Sequence, residues 1–228
     1  MKLKKLLFDL TKFEWCLWIG SVLAVVTAFL LFSADYLTLA ASLIGVTSLI
    51  YAAKGNPVGP ALMIAFSVMY GVISFFFRYY GELVTYVGMT LPMSVVSLAA
   101  WLRHPYQDTA QVAVAKISKK QVTVMLLLTA GITAAFYFIL GALQNANLFF
   151  STVSVTTSFL AAYLTFLRSP YFALAYAMND VVLVVLWSLA AAVETSYIPM
   201  VVCFCVFLIN DAYGFFNWRR MENAQKKP

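Results

Sequence analysis

Asp180 and Trp187 are the two residues whose types and spacing most directly indicate a binding chemistry. They are seven residues apart, and at about 100° per residue a helix would place them within about 20° of one another on one face. Asn179 precedes the acid in the sequence. An acid at membrane depth is costly and should face the protein interior or a water-filled cavity. This face therefore indicates either a small-molecule site or a carboxyl that hydrogen-bonds a neighbouring helix.

A second Asn-Asp pair, Asn210 and Asp211, lies near the end of the chain and is followed by Tyr213 and Asn217. Asp211 is about seven residues from the end of its apolar segment, so it could be solvated or paired with Arg219 as easily as functional. We expect no second buried acid directly beside Asp180.

A polar stripe is predicted on an earlier apolar segment, where Thr90, Ser94, Ser97 and Trp101 follow at i, i+4, i+7 and i+11. Serine and threonine often only permit close packing of membrane helices, so the stripe is equally consistent with packing. Pro92 is expected to kink this segment. The candidate substrate-binding residues are thus Asp180, Trp187, Asn179, Trp101, Ser94, Ser97, Asn210, Tyr213 and Asn217.

The sequence contains few residues that indicate catalysis or metal binding. The single histidine, His104, lies in a loop, and no HExxH, Walker or Ser-His pattern is present. Cys16, Cys203 and Cys205 lie in apolar segments and are interpreted as packing residues. We therefore predict no enzyme activity, no cofactor and no metal, and favour transport of a small solute over a purely structural subunit, which would not need a buried Asp and Trp on one face.

The elements that position these residues must be membrane helices. Of the 228 residues, 63% are hydrophobic and only 11% are charged, whereas a soluble domain has about 25% charged residues. A helix needs about 20 apolar residues to cross a bilayer, and the sequence predicts eight such spans, at 14–32, 36–53, 58–77, 82–102, 122–142, 149–167, 170–189 and 197–218. The apolar runs lack the alternation of a β-barrel, and the first span has no cleavage site of a signal peptide.

The distribution of Lys and Arg predicts the orientation. With eight spans, 14 of the 15 basic residues fall on one face and only Arg78 falls on the other. The positive-inside rule then places both termini in the cytoplasm of a multi-pass cell-membrane protein. The net charge of +6 thus reflects topology, and no nucleic-acid partner is predicted.

An internal repeat is indicated by two matching turns. Spans two and three are joined by a basic turn ending in Pro57, and spans six and seven by one ending in Pro170; an acid follows 25 and 24 residues later, at Glu82 and Glu194. Both units begin on the same side, as in parallel transporter repeats. The predicted organisation is an N-terminal tail and extra helix (1–33), a three-helix repeat (34–103), a loop and linker helix (104–145), a second repeat (146–219) and a cytoplasmic tail (220–228).

Four segments together resemble the nicotinamide riboside transporter family of PnuC type over about residues 40–220. They are Arg78–Glu82, Leu91–Trp101, Asn179–Trp187 and Ile209–Trp218. The resemblance implies an all-α fold like that of the SWEET proteins, with two parallel three-helix repeats joined by a linker helix. It also implies a homotrimer, facilitated diffusion of the riboside and its trapping in the cytoplasm by phosphorylation.

The family pattern is incomplete in the fourth span. Leu91, Pro92, Met93 and Trp101 match it, whereas Ser94 stands where the family has Gln, Ser97 where it has Gly, and Leu98 where it has Trp. Because relatives carry thiamine, riboflavin or nucleosides, another vitamin or a deoxynucleoside is the alternative substrate. A cationic riboside or thiamine would use Asp180, and a neutral nucleoside would use mainly the indoles.

Overall fold

A computed structural model of the protein describes residues 10–32, 35–76, 80–107, 109–145 and 147–226. Arg78 and Lys2, Lys4, Lys5 and Lys227, which entered the orientation argument, lie outside these residues. The described chain forms helices α1 (Lys12–Leu31), α2 (Tyr36–Ala53), α3 (Val58–Phe76), α4 (Tyr80–Thr85 and Leu91–Arg103, joined by a π-helical turn at Tyr86–Thr90), α5 (Lys119–Ala142), α6 (Leu148–Phe166), α7 (Tyr171–Ala191) and α8 (Ile198–Gln225).

Eight helices among the described residues are long and apolar enough to cross a membrane, which confirms the predicted number of spans. Two boundaries differ from the prediction. Helix α5 begins at Lys119 because Ser118 and Gln121 form a capping box there. Helix α8 continues to Gln225 because its last turns are polar and Glu222 pairs with both Arg219 and Lys226.

The predicted distortion at Pro92 takes the form of a π-helical turn directly before it. The proline ring excludes a normal helical bond to the preceding turn, and the chain widens over Tyr86–Thr90 instead. The Leu91 N–H donates to the Tyr86 carbonyl, five residues back. This turn directs the side chains of Tyr86 and Thr90 into the centre of the bundle.

The two proline turns have the same backbone geometry. Gly55 and Arg168, each two residues before the proline, adopt positive φ angles of 67° and 57°. In both turns the next residue donates its N–H to a carbonyl five residues back, at 3.0 Å: Asn56 to Tyr51, and Ser169 to Leu164. A Cβ at Gly55 would lie 2.6 Å from the Met221 side chain, so glycine is required there by space as well as by φ.

Two tryptophans donate equivalent hydrogen bonds to the backbone of other helices. Trp101 of α4 donates its indole N–H to the Thr165 carbonyl of α6 at 2.9 Å, and Trp218 of α8 donates to the Ala52 carbonyl of α2 at 2.8 Å. Each acceptor lies five residues before the proline of its turn. The two rings are fully buried and their centroids are 5.3 Å apart.

The connection between α4 and α5 packs on the same end of the bundle. Val112 donates its N–H to the Gly55 carbonyl at 2.9 Å, and Ala115 donates to the Arg168 carbonyl at 3.1 Å. The connection therefore touches both proline turns. We call this end, where the turns at Lys54 and Arg168 lie, the basic end.

Helix α1 is tied to the bundle by Glu14, which is 2% exposed. Its carboxylate caps α1 together with Thr11, pairs with Lys54 of α2 at 3.2 Å and accepts a hydrogen bond from Tyr213 of α8 at 2.9 Å. A buried carboxylate requires such partners. Glu14 thus links three helices at the basic end.

Candidate substrate site

A cavity of about 670 Å³ lies between helices α3, α4, α6, α7 and α8. Its lining includes Glu82 at the start of α4, Gln144 after α5, Asn147 before α6 and Glu194 after α7, so it extends to the end of the bundle opposite the basic end. We call that end the mouth. The volume is in the range of small-molecule sites.

The opposite end of the cavity is closed by a packed aromatic cluster. Trp101, Trp218 and Phe172 are at most 2% exposed and pack against Val112 of the α4–α5 connection. Tyr176, which lines the cavity, contacts Phe172 with ring centroids 6.2 Å apart. In this conformation the site is accessible from the mouth alone, as judged from the residues that the structure describes.

Four carboxyl groups line the cavity: Glu82, Asp180, Glu194 and Asp211. Asp180 and Asp211 are 3% and 5% exposed, and their side chains are in hydrogen-bonding contact with each other. No Lys, Arg or His is found among the lining residues of the described chain. The field inside the cavity therefore favours positively charged ligands and opposes anions.

The expectation that Asp180 has no buried acid beside it is wrong. Asp211 does not pair with Arg219, whose guanidinium is bound to Glu222. It instead points toward Asp180 because α7 and α8 pack closely along their length. The two acids come from the two Asn-Asp pairs of the sequence.

Aromatic side chains form a second feature of the cavity wall. Trp187 is half-buried and its ring centroid lies 5.5 Å from that of Tyr197. Across the cavity lining, Tyr70 and Tyr86 are 4.4 Å apart, and Tyr70 is in side-chain hydrogen-bond contact with Glu82. Flat aromatic faces next to carboxylates are suited to an aromatic cation.

Helix α6 supplies a polar wall. Ser151, Ser154 and Ser158 line the cavity. The hydroxyls of Ser154 and Thr157 both donate to Oδ1 of Asn179, at 3.0 and 2.9 Å. The remaining polar group of Asn179 is its amide nitrogen, a donor suited to a hydroxyl-bearing ligand.

The structure brings together three of the nine candidate residues, Asn179, Asp180 and Trp187. They lie on α7, as the seven-residue spacing predicted. Their role in binding remains a prediction.

The three candidates on α4 are placed differently from the prediction. Trp101 lies in the cluster that closes the basic end, with its N–H bound to the Thr165 carbonyl. Ser94 and Ser97 are buried at 8% and 1% exposure and do not line the cavity. Most of the polar stripe therefore packs against neighbouring helices, and of its members only Thr90, the last residue of the π-helical turn, lines the cavity.

The three candidates on α8 likewise form interhelical hydrogen bonds outside the cavity. Asn210 donates to the Ser21 hydroxyl of α1 at 2.9 Å, and Asn217 donates to the Ala53 carbonyl of α2 at 2.9 Å. Tyr213 binds Glu14. These polar groups hold α1 and α2 against α8, which corrects their predicted placement beside a substrate.

Sequence reasoning missed several lining residues. Glu82 entered the prediction as the acid that follows Pro57 by 25 residues, as Glu194 follows Pro170 by 24, and not as a site residue. Tyr70, Tyr86 and Tyr176 gave no sequence signal, since single tyrosines in apolar helices are common. Ser151, Ser154 and Ser158 share one span, but serines on membrane helices often only permit close packing, so their presence does not indicate a site.

The eight spans and the enclosed, polar-lined cavity define a multi-pass membrane protein with a central small-molecule site. The sequence profile of the family described as nicotinamide mononucleotide transporter matches residues 35–220. The chain belongs to this family.

Two known proteins are similar over nearly the whole chain. A nicotinamide riboside transporter PnuC of Neisseria mucosa is 24% identical over 220 residues, which cover 92% of this chain and 82% of the relative. A crystal structure described as the vitamin B3 transporter PnuC superposes with a TM-score of 0.84 at 21% identity, covering 99% of this chain and 98% of that one. The predicted PnuC-type family is thereby confirmed, as is a transport rather than an enzymatic class.

Proposed function

We propose that this protein carries nicotinamide riboside across the membrane, with entry at the mouth of the cavity and release at the basic end. The observation that carries the proposal is the cavity lining, which combines four carboxyl groups with aromatic rings and has no basic residue among the described positions. The pyridinium ring of the riboside is a permanent cation, and its ribose offers hydroxyl groups to Asn179 and the α6 serines.

The lining charge favours the riboside over its phosphorylated form. The family description names the mononucleotide, and the Neisseria relative is named for the riboside. A phosphate would bring about −1.5 to −2 charges at pH 7 into a cavity lined by Glu82, Asp180, Asp211 and Glu194. At an effective dielectric constant of about 20, each pair of like charges about 6 Å apart costs about 3 kcal/mol. Among the lining residues that the structure describes, no cation offsets that cost.

The pyridinium is proposed to lie over Trp187. Asp180 lies on the same face of the same helix, about two turns deeper in the cavity. Seven residues at about 1.5 Å per residue separate their positions by about 10 Å along α7. The Trp187 ring packs against that of Tyr197 at an interplanar angle of 47°, which holds the indole at the mouth. Ser94 and Leu98, where this chain departs from the family pattern, do not line the cavity and so do not argue against the riboside.

The direction and energetics of transport follow from the charge distribution and the family. We propose that the basic end is cytoplasmic, with both termini there, by the positive-inside rule. Movement is proposed to be facilitated diffusion, with phosphorylation in the cytoplasm keeping the free riboside low. The matching proline turns and the reciprocal Trp101 and Trp218 bonds support two SWEET-like parallel repeats, 34–103 and 146–219, around the linker helix. A homotrimer is proposed from the family resemblance alone.

Thiamine is the second candidate substrate, because it is also an aromatic cation and would use the same carboxylates and rings. Riboflavin and deoxynucleosides would stack on Trp187 but gain little from Asp180. The paired acids favour the two cations over the neutral molecules.

A binding panel tests the proposal. Purified protein is titrated with nicotinamide riboside, its mononucleotide, thiamine, riboflavin and deoxynucleosides, and tryptophan fluorescence is recorded. Trp187 is the one indole that lines the cavity in the described chain, so Trp187→Phe should remove the fluorescence response, whereas Trp15→Phe, a control facing outward, should retain it. Tightest binding of a neutral deoxynucleoside would overturn the substrate assignment.

A further inference from the structure

Asp180 and Asp211 form an unusual pair within the cavity. Both are at least 95% buried, and their carboxyl groups are in hydrogen-bonding contact. Two ionised carboxylates cannot form a hydrogen bond, because each has only acceptor oxygens. When two buried carboxyl groups lie within hydrogen-bonding reach of each other, one of them retains a proton, as in the paired acids of aspartic proteases.

One oxygen atom of Asp180 also indicates that a proton or a cation belongs beside the two carboxyl groups. Oδ2 of Asp180 is fully enclosed and has no hydrogen-bond donor within reach. A buried acceptor without a donor is costly, and among the described lining residues there is no Lys, Arg or His to supply one. A proton held between the two carboxyls, or a cation bound beside them, would satisfy it.

We infer that the Asp180–Asp211 pair holds one shared proton in the empty transporter and releases that proton when an organic cation binds in the cavity. This linkage rests on the proposed function, since it requires a cationic substrate. As the riboside moves from Trp187 to the acid pair about 10 Å deeper on α7, the permanent charge of the pyridinium takes the place of the proton and allows both carboxyls to ionise. The charge balances: one positive charge enters the site, and one proton leaves to water through the mouth.

Within the described part of the chain, the pair is surrounded by no Lys, Arg or His whose positive charge could replace the proton. The titratable groups that face it are Cys203 and Cys205 of α8, Tyr86 of α4 and Tyr176 of α7. These four groups are thiols and phenols, and none of them is a basic side chain. Glu82 is further toward the mouth, in contact with Tyr70. On α6 the neighbours of the adjacent Asn179 are the uncharged Ser154 and Thr157.

Isothermal titration of the full-length protein with nicotinamide riboside, in two buffers of different ionisation enthalpy, measures the protons released. We expect one proton per bound cation. The dissociation constant should fall about tenfold for each pH unit of increase, over the range in which the empty pair holds its proton. The Asp211→Asn variant has no carboxyl pair. Riboside binding to this variant should therefore release no proton, and its dissociation constant should not depend on pH. Glu222→Gln, an acid outside the cavity, should keep the release.

Infrared difference spectra between ligand-free and riboside-bound protein provide a direct second readout. The empty wild-type protein should show the C=O band of a protonated carboxyl, which disappears on binding and is missing from Asp180→Asn and Asp211→Asn alike. If riboside binding gave equal heats in both buffers, no proton would be released. That result would refute the proposed shared proton and leave the proposed function intact. Failure of the riboside to bind would overturn the proposed function, and the band in the empty protein would then decide whether the pair holds a proton.

Discussion

The reciprocal tryptophan bonds predict that two substitutions 117 positions apart have matching effects. Trp101→Phe and Trp218→Phe each remove an indole donor, of bonds 2.9 and 2.8 Å long, from a fully buried site. The acceptor carbonyls do not become unsatisfied. Thr165 also accepts from the Arg168 N–H at 3.0 Å, and Ala52 from the Gly55 N–H at 2.9 Å. Each substitution therefore removes one net hydrogen bond.

The expected cost follows from those contacts. A net hydrogen bond contributes about 1 kcal/mol, and the smaller ring leaves a partly filled space that costs about 1 kcal/mol more. We expect each variant to lose about 2 kcal/mol, or about 4 to 8 °C in unfolding temperature for a chain of this size. Because the two rings are in contact, the double variant should deviate from the sum of the single ones.

Thermal unfolding in detergent, followed by near-ultraviolet circular dichroism, measures these shifts. Trp15→Phe is the matched control, since Trp15 is 37% exposed and contacts only Trp18 among described aromatic rings. It should change stability by no more than about 0.5 kcal/mol. A marked loss in one variant with none in the other would refute the equivalence of the two halves, and losses no larger than that of Trp15→Phe would refute the role of the bonds.

Three further predictions concern the cavity and its support. Trp187→Ala should weaken riboside binding about 2- to 30-fold, the equivalent of about 0.5 to 2 kcal/mol of cation–π attraction, measured by calorimetry; unchanged affinity would place the pyridinium elsewhere. Glu14→Gln should lower the free energy of unfolding by about 3 kcal/mol because Lys54 loses its buried partner, and Lys54→Met in the same chain should restore part of it; a neutral single substitution would contradict the link between the helices. Tyr213→Phe should cost about 1 kcal/mol of stability and leave the riboside dissociation constant unchanged, whereas a large affinity loss would return Tyr213 to the substrate site.

The number of membrane spans was predictable because span length and hydropathy can be read directly from the sequence. All eight spans among the described residues followed from these two quantities, and the orientation that the Lys and Arg residues indicate stays a prediction. The face shared by Asp180 and Trp187 was predictable for the same reason, since a regular helix fixes it. The proline turns were visible as Pro57 and Pro170, and the structure adds their common positive φ.

The partners of individual polar groups were not predictable, because they depend on which helices meet. Asp211 could have been solvated, and only the packing of α7 on α8 places it beside Asp180. Asn210, Tyr213 and Asn217 have the composition of a site, yet their bonds run to α1 and α2. On α4, Ser94, Ser97 and Trp101 do share one face of a regular helix, but that face packs against neighbouring helices and does not line the cavity.

Uptake by reconstituted protein tests the proposed transport most directly. Liposomes containing the protein and no ATP are incubated with labelled nicotinamide riboside, with and without excess unlabelled mononucleotide, and compared with liposomes containing Asp180→Asn. The charge of the cavity predicts that wild-type protein equilibrates the riboside, that the mononucleotide competes poorly and that Asp180→Asn is strongly impaired. Absence of uptake by folded wild-type protein, or equal competition by the mononucleotide, would contradict it.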